Sequence, residues 1–193
     1  MRRNPTLQRA CLYALLAALL CALSPIAIPL GAVPISLSLF LVLLCGALIG
    51  VSAWIPIVVY LALGSLGLPV FACGMGGFGV LIGPTGGYLW SYVPIALVTG
   101  ALYRTVRKLS GGRWGRICMG FAVGACGLLI CYLLGTLQYS IVARISFFSA
   151  LLVCVVPFVL IDIAKALLAY LLALRILQIP ALRSAIDIAI RKK

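Results

Sequence analysis

Apolar residues occupy most of the chain in long runs, which are separated by short segments rich in glycine, proline or basic residues. A bilayer core about 30 Å thick requires about 20 helical residues for each crossing. This pattern predicts an all-α integral membrane protein that forms one bundle of six transmembrane helices. We predict a single transmembrane domain over residues 1–193, with spans at residues 7–24, 35–50, 52–63, 88–103, 114–134 and 148–174.

A glycine-rich segment separates the third predicted span from the fourth. Residues 64–87 contain Pro69 and Pro84 among many glycines. Both residue types disfavour regular helix, so we predict an external loop here. After residue 178, apolar pairs alternate with charged residues, which predicts an amphipathic cytoplasmic helix over residues 178–193; a solvated end is the alternative.

Basic residues outnumber acidic residues by fifteen to two, which gives a formal charge of +13. In a soluble protein this balance suggests nucleic-acid binding. Here 65% of the residues are hydrophobic, and no RRM, zinc-finger or helix-turn-helix motif is present. The positive-inside rule instead places both termini and the basic clusters in the cytoplasm. Arg144 is then external and Lys165 lies within a span, which leaves thirteen of the fifteen basic residues on the cytoplasmic side.

Two oppositely charged residues, Asp162 and Lys165, lie three positions apart near the middle of the sixth predicted span. Residues at this spacing project from one face of a helix. Each charge costs about 2.5–3.5 kcal/mol at a bilayer centre on insertion scales, so such residues normally face a partner or a polar cavity. We interpret the pair as a binding site; a self-contained ion pair that only fixes helix packing is the alternative.

The glycine-rich segment is a second candidate for ligand contact. Gly76 and Gly77 carry no side chains, so the backbone there can approach a ligand closely. The segment leads into the fourth span at Tyr88, where the N–H groups of a helix start favour a carboxylate. A lid is the functional interpretation, and a re-entrant loop without a ligand is the alternative. A phosphate-binding P-loop fits the segment less well, because no Gly-Lys-Ser/Thr ending follows.

Small residues recur every four positions on one face of the first predicted span. We call this series, Ala10, Ala14, Ala18 and Ala22, the alanine ladder. Small side chains let helices approach each other closely in lipid. Docking to another membrane subunit and packing within the chain are both compatible with the ladder.

Motifs for catalysis and metal binding are missing from the sequence. It contains no histidine, no GxSxG, no HExxH and no Walker A motif, and its eight cysteines include no CxxC pair. We therefore predict no metal and no cofactor, and any ATP-driven work requires partner chains. An intramembrane enzyme that uses Asp162 as its acid, and a purely structural scaffold, remain distant alternatives.

Three short motifs occur in order along the chain. They are Gly74-Met75-Gly76-Gly77, then Gly83-Pro84-Thr85-Gly86-Gly87-Tyr88-Leu89, and then Pro157-Phe158 followed by Asp162-Ile163-Ala164-Lys165. In this order and spacing the chain resembles the BioY family, the biotin-specific substrate-binding (S) components of energy-coupling factor (ECF) transporters. The resemblance extends over residues 10–174.

The resemblance implies a six-helix S-component fold that binds biotin from outside the cell and serves an ATP-driven vitamin importer in the bacterial inner membrane. It also implies two kinds of partner, a membrane-embedded coupling (T) subunit that docks on the alanine ladder and two cytoplasmic ATPases. An S component for another small vitamin or carboxylate cofactor precursor is the alternative.

Contacts with biotin follow from the same resemblance. Asp162 and Lys165 would hydrogen-bond to the ureido ring. Tyr88 and Trp54 would pack against the thiophane ring, and the glycine loop with Gly76 and Gly77 would lie near the carboxylate. Two stretches depart from the family pattern. In the first stretch, Ser36 and Ser38 stand where the family has a threonine and a glutamine. In the second, Cys73 and Met75 stand where glycine and often a basic residue are usual.

Overall fold

The computed structural model describes residues 5–29, 31, 33–108 and 112–190 of the chain. It consists almost entirely of helices joined by short connections. The elements in chain order are α1 (Pro5–Leu23), β1 (Ala27–Ile28), β2 (Ile35–Ser36), α2 (Ser38–Ile49), α3 (Trp54–Ser65), α4 (Phe78–Ile82), α5 (Gly86–Lys108), α6 (Arg113–Ala143), α7 (Phe147–Cys154), α8 (Val159–Ile176) and α9 (Pro180–Ile190).

Contacts between α2 and α5 define the two ends of the bundle. Near one end, the hydroxyl oxygens of Ser38 and Tyr92 are 2.6 Å apart. Near the other end, the Arg107 guanidinium donates a hydrogen bond to the Leu48 carbonyl at 3.2 Å. Both helices therefore run in the same direction. We call the first end the hydroxyl end and the second the arginine end.

Successive long helices along the chain run in opposite directions between these two ends. α8 runs towards the arginine end, where its Tyr170 ring stacks on Tyr103 of α5 with centroids 5.2 Å apart. α3 runs towards the hydroxyl end, where its Gly64 packs against the ring of Phe71. The chain thus passes between the two ends six times, in the segments α1, α2, α3, α5, α6 and α7–α8.

Length and apolar composition identify the helices that are able to cross a membrane. Three helical stretches qualify: Thr6–Leu23, Ser38–Ser65 and Trp114–Ala143. The bent pair of α7 and α8 is a fourth, and its two axes differ by 63°. The second stretch contains both α2 and α3, which reverse direction at a 3-10 turn where Gly50 has a φ of +64°. The protein is therefore an all-α membrane bundle, and this prediction is confirmed.

The segment that precedes α2 differs from the predicted second span of residues 35–50. β1 pairs antiparallel with β2, so that Ala27 lies opposite Ser36 and Ile28 lies opposite Ile35. The helix itself begins at Ser38. The first residues of the predicted span therefore form a short hairpin over the hydroxyl end.

The predicted sixth span, residues 148–174, is divided into two helices. α7 ends at Cys154 and α8 begins at Val159, with Pro157 in the break. Proline lacks an N–H group and its ring clashes with the preceding helical turn, which accounts for the interruption.

The glycine-rich segment and the C-terminal tail both contain helix. Residues 64–87 include the five-residue α4, where the sequence predicts only loop. Helix α9 covers most of the predicted amphipathic tail and packs against α1 and α2 through Ile186, which is 4% exposed. Residues 191–193 of that tail lie outside the described residues.

Close backbone contacts at the arginine end hold α2 against α5. Eleven of the twelve residues of α2 are buried. A side chain on Gly100 of α5 would meet the backbone of Gly50 and Val51, and a side chain on Gly46 would lie 2.8 Å from Thr99 Oγ1. Small residues at these positions bring the two helices together without a clash.

Gly100→Ala is expected to destabilise the bundle by about 1–3 kcal/mol, the usual cost of overpacking, because the new methyl group would overlap the backbone at Gly50. Thermal unfolding in detergent, followed by circular dichroism, measures this effect. Gly115→Ala is the matched control, since nothing lies within 4 Å of its methyl position and alanine favours helix. Equal unfolding midpoints for the two variants would contradict the close packing.

Candidate functional site

Asp162 and Lys165 form an ion pair near the hydroxyl end of the bundle. Lys165 Nζ lies 3.0 Å from Asp162 Oδ1, and each side chain is 12% exposed. The sequence placed the pair near the middle of a span, but Asp162 lies in the first turn of α8 because the break around Pro157 comes immediately before it. The positive end of the helix dipole favours a carboxylate at this position.

Tyr132 of α6 joins the charged pair. Its hydroxyl donates a hydrogen bond to Asp162 Oδ2 at 2.9 Å. Each carboxylate oxygen therefore has its own donor, Lys165 on one side and Tyr132 on the other. Sequence analysis missed Tyr132, because this contact depends on the rotation of α6 relative to α8, which an almost uniformly apolar pattern does not specify.

The three side chains lie in the wall of a cavity at the hydroxyl end. The cavity contains about 720 Å³ of empty space, its open mouth included. Segments from β2, α2, the glycine-rich segment, α5, α6 and α7–α8 contribute to the wall. Its aromatic members are Phe71, Tyr88, Tyr92, Tyr132 and Phe158.

A chain of three hydroxyl groups also lines this cavity. Ser36 Oγ is 2.5 Å from Ser38 Oγ, which is 2.6 Å from the hydroxyl oxygen of Tyr92. Three hydroxyls carry three O–H donors, and the two bonds between them use only two. One O–H group therefore remains to bond a ligand or water. The two serines that depart from the family pattern are thus part of the wall.

The ion pair suits a neutral polar group that carries both donors and acceptors. Asp162 can accept further hydrogen bonds at its free lone pairs, and Lys165 has two N–H donors beyond the one it gives to Asp162. Bonds to these charged groups are stronger than bonds between neutral groups. Across the described ranges, no group of three or more His, Cys, Asp or Glu side chains is placed to hold a metal ion.

The two predicted aromatic contacts have different positions. Tyr88 lines the cavity, and its ring packs against Gly135 of α6. Trp54 does not line the cavity: it begins α3 near the arginine end and is 43% exposed. The placement of Trp54 is therefore corrected. Its distance from the cavity follows from the direction of α3, which reaches the hydroxyl end only at its other terminus.

The predicted glycines lie beside the cavity and do not line it, whereas Met75 does. A side chain on Gly76 would meet the Leu68 carbonyl, and Gly77 has a φ of +97° that other residues rarely adopt. Local packing and backbone conformation therefore account for both glycines. Cys73 is exposed, also has a positive φ, and is not part of the wall.

The alanine ladder lies on the outside of the bundle. Ala10, Ala14 and Ala18 are all exposed, whereas Leu16 and Leu20 on the opposite face of α1 are buried. The ladder is therefore available to a partner in the membrane, and packing within the described part of the chain does not account for it.

Comparisons with known proteins agree on one family. The model of the BioY family matches residues 1–181. Biotin transporter BioY2 of Lactococcus lactis is 33% identical over 178 residues, which cover 91% of this chain and 93% of the relative. Biotin transporter BioY of Rhodobacter capsulatus is 36% identical over 194 residues, covering 92% and 95%. The corresponding protein of Thermotoga maritima is 39% identical over 152 residues, covering 78% and 85%.

A solved structure has the same fold. It is the S-component for biotin from an ECF-type ABC transporter, which matches with a TM-score of 0.81 and 25% sequence identity. The match covers 92% of this chain and 95% of the other. The S-component fold implied by the resemblance is confirmed, and the chain belongs to the BioY family.

Proposed function

We propose that this chain is the high-affinity biotin-binding S component of an ATP-driven ECF importer. The observation that carries the proposal is the pair Asp162–Lys165, extended by Tyr132, in the wall of an open cavity at the hydroxyl end. Relatives named biotin transporters and a structure described as the S-component for biotin support the choice of ligand. The BioY family is a family of transporter components, and the chain is not an enzyme.

The ureido ring of biotin fits the hydrogen-bonding groups of the pair. Asp162 accepts from a ureido N–H group, and Lys165 donates to the ureido carbonyl. Both charges then gain partners that replace water, which offsets the cost of their burial. The thiophane ring packs against Tyr88 and the apolar wall. The biotin carboxylate lies towards the glycine-rich segment and Thr85, near the start of α5, where the positive end of the helix dipole favours an anion.

The partners in this proposal are a membrane-embedded coupling subunit and two cytoplasmic ATPases. The exposed alanine ladder on α1 supports a close helix contact with the coupling subunit. Arg107, Arg116 and Arg175 lie towards the arginine end, and Arg144 follows α6 at the opposite end. By the positive-inside rule this distribution supports an arginine end and both termini in the cytoplasm of the inner membrane, with the cavity towards the outside.

Isothermal titration of the detergent-purified chain with biotin tests the proposal directly. We expect saturable binding and a raised unfolding temperature at micromolar biotin, because a ligand that binds only the folded state stabilises it. Desthiobiotin should compete, whereas riboflavin and thiamine should not. Absence of both heat and stabilisation, or preference for an unrelated vitamin, would contradict the assignment.

Asp162→Asn should weaken biotin binding by about 1.5–3 kcal/mol, the usual worth of a hydrogen bond to a charged group, which corresponds to roughly 10–150-fold in Kd. The change keeps the size of the side chain and removes its charge. Asp187→Asn is the matched control, because Asp187 is the other acid of the chain and its side chain is 59% exposed on α9. Equal biotin affinities for the two variants would mean that the ion pair does not contact the ligand.

Tyr132→Phe should also weaken binding, but less than Asp162→Asn, because the carboxylate keeps its bond to Lys165. The phenol oxygen is the only group removed, so a change in Kd reports the hydrogen bond at Asp162 Oδ2. Titration of Tyr139→Phe provides the control, since Tyr139 lies on the same helix outside the cavity wall. An unchanged Kd for Tyr132→Phe would mean that the phenol does not support the ligand-bound carboxylate.

Ala14→Leu should block assembly with the coupling subunit and leave biotin binding intact. A leucine in the middle of the ladder would hold the partner helix away from α1. Co-purification of the complex and ATP-driven uptake into vesicles measure assembly, and titration measures binding. Ala101→Leu is the control, because Ala101 is exposed on α5. Normal assembly of Ala14→Leu would exclude the ladder as the docking surface.

A further inference from the structure

Gln138 of α6 makes an unusual pair of contacts with the glycine-rich segment. Its side-chain nitrogen donates to the carbonyl oxygens of Leu81 and Gly83, each at 2.8 Å. Both N–H groups of a single amide are thus bonded to the short stretch where α4 ends. The indole N–H of Trp90 donates to the Leu81 carbonyl as well, at 3.1 Å.

Two of these bonds go to the Leu81 carbonyl, which α4 cannot satisfy by itself. The last four carbonyls of any helix have no partner within it, and a helix of five residues is far too short to persist alone. The side chains of Gln138 and Trp90 therefore supply from α6 and α5 the partners that α4 lacks. The position of α4 depends on helices that belong to the rigid bundle.

The turn between α4 and α5 contains glycines that allow Gln138 to approach the backbone closely. A side chain on Gly86 would come within 2.5 Å of the Gln138 side-chain nitrogen, and one on Gly87 would lie 2.8 Å from Gln138 Cβ. Glycine at both positions lets the first turn of α5 rest directly on Gln138. The motif from Gly83 to Tyr88 is therefore a packing partner of this glutamine as well as a boundary of the cavity.

The anchored segment contributes to the cavity wall on both sides of the bonds. Val80 precedes Leu81, Thr85 follows Gly83, and both line the cavity. We call residues 78–85 the cover segment. Tyr132, which bonds to Asp162, lies on the same helix as Gln138, less than two turns away. One stretch of α6 thus supports both the charged pair and the cover segment.

We propose that Gln138 is a positioning residue that holds the cover segment over the cavity and so sets how long a bound ligand stays. The identity of the ligand rests on the proposed function, whereas the anchoring of the segment does not. Displacement of the cover segment requires the loss of both amide hydrogen bonds. Their removal should speed ligand release more than it slows entry, because these bonds exist only while the segment is seated.

The test compares Gln138→Met and Gln138→Glu with wild type. Methionine keeps the approximate shape without donors, and glutamate places a carboxylate against two carbonyl oxygens. The first measurement is backbone hydrogen exchange over residues 78–87 without ligand. The second is the dissociation rate of labelled biotin in a chase experiment. We expect faster exchange confined to the cover segment and release faster by roughly tenfold, from the usual worth of two hydrogen bonds, with a larger effect for glutamate.

Ser140→Ala is the matched control, because Ser140 lies on the same helix and its hydroxyl bonds to the Leu137 carbonyl of that helix. It should leave both measurements unchanged. If Gln138→Met lowers the unfolding temperature of the whole bundle, Gln138→Asn replaces it, since asparagine keeps the amide but is too short to reach both carbonyls.

Two outcomes would overturn the inference. Unchanged exchange over residues 78–87 would mean that Gln138 does not anchor the cover segment. Faster exchange with an unchanged release rate would mean that this segment does not control release. If wild type failed to bind biotin, the proposed function would fail instead, and the exchange measurement would still decide the anchoring.

Discussion

The cost of keeping a carboxylate and an ammonium group in an apolar bundle constrains the hydroxyl end of this protein. Asp162 and Lys165 are almost fully enclosed, so each needs partners that take the place of water. Each is a partner of the other, and Tyr132 donates a second hydrogen bond to Asp162. Both side chains line the cavity, so in the proposed function a polar ligand uses their remaining hydrogen-bonding capacity.

The two ends of the bundle differ in how closely their helices pack. At the arginine end, glycines such as Gly50 and Gly100 allow backbones to touch, and the rings of Tyr103 and Tyr170 stack. At the hydroxyl end the wall of the cavity comes from six segments of the chain, including a hairpin and an irregular glycine-rich segment. Close packing at one end fixes the helices, and this allows the other end to remain open enough for a ligand.

Features that depend on local spacing could be predicted from the sequence. Asp162 and Lys165 had to share a helix face because they are three residues apart, and the alanine ladder had to form a stripe for the same reason. The apolar runs specified a membrane bundle, since nothing else accommodates so much apolar surface. The wall residue Tyr88 was found through its motif.

Features that depend on how helices pack against one another could not be obtained in this way. Tyr132 and Gln138 contact other elements only because of the rotation of α6, and the apolar pattern along α6 does not reveal which face points inward. Trp54 was expected at the ligand from the resemblance, but it begins α3 at the arginine end. The break at Pro157 was visible in the sequence, but its effect on the depth of Asp162 was not.

The balance of charge at the cavity has an electrical consequence. One carboxylate and one ammonium sum to zero net charge. Moving one elementary charge through a membrane voltage of 100 mV involves about 2.3 kcal/mol. Since this pair carries no net charge, the voltage does no net work on it when its two groups move together, and a voltage dependence then originates in the ligand or in other groups of the protein.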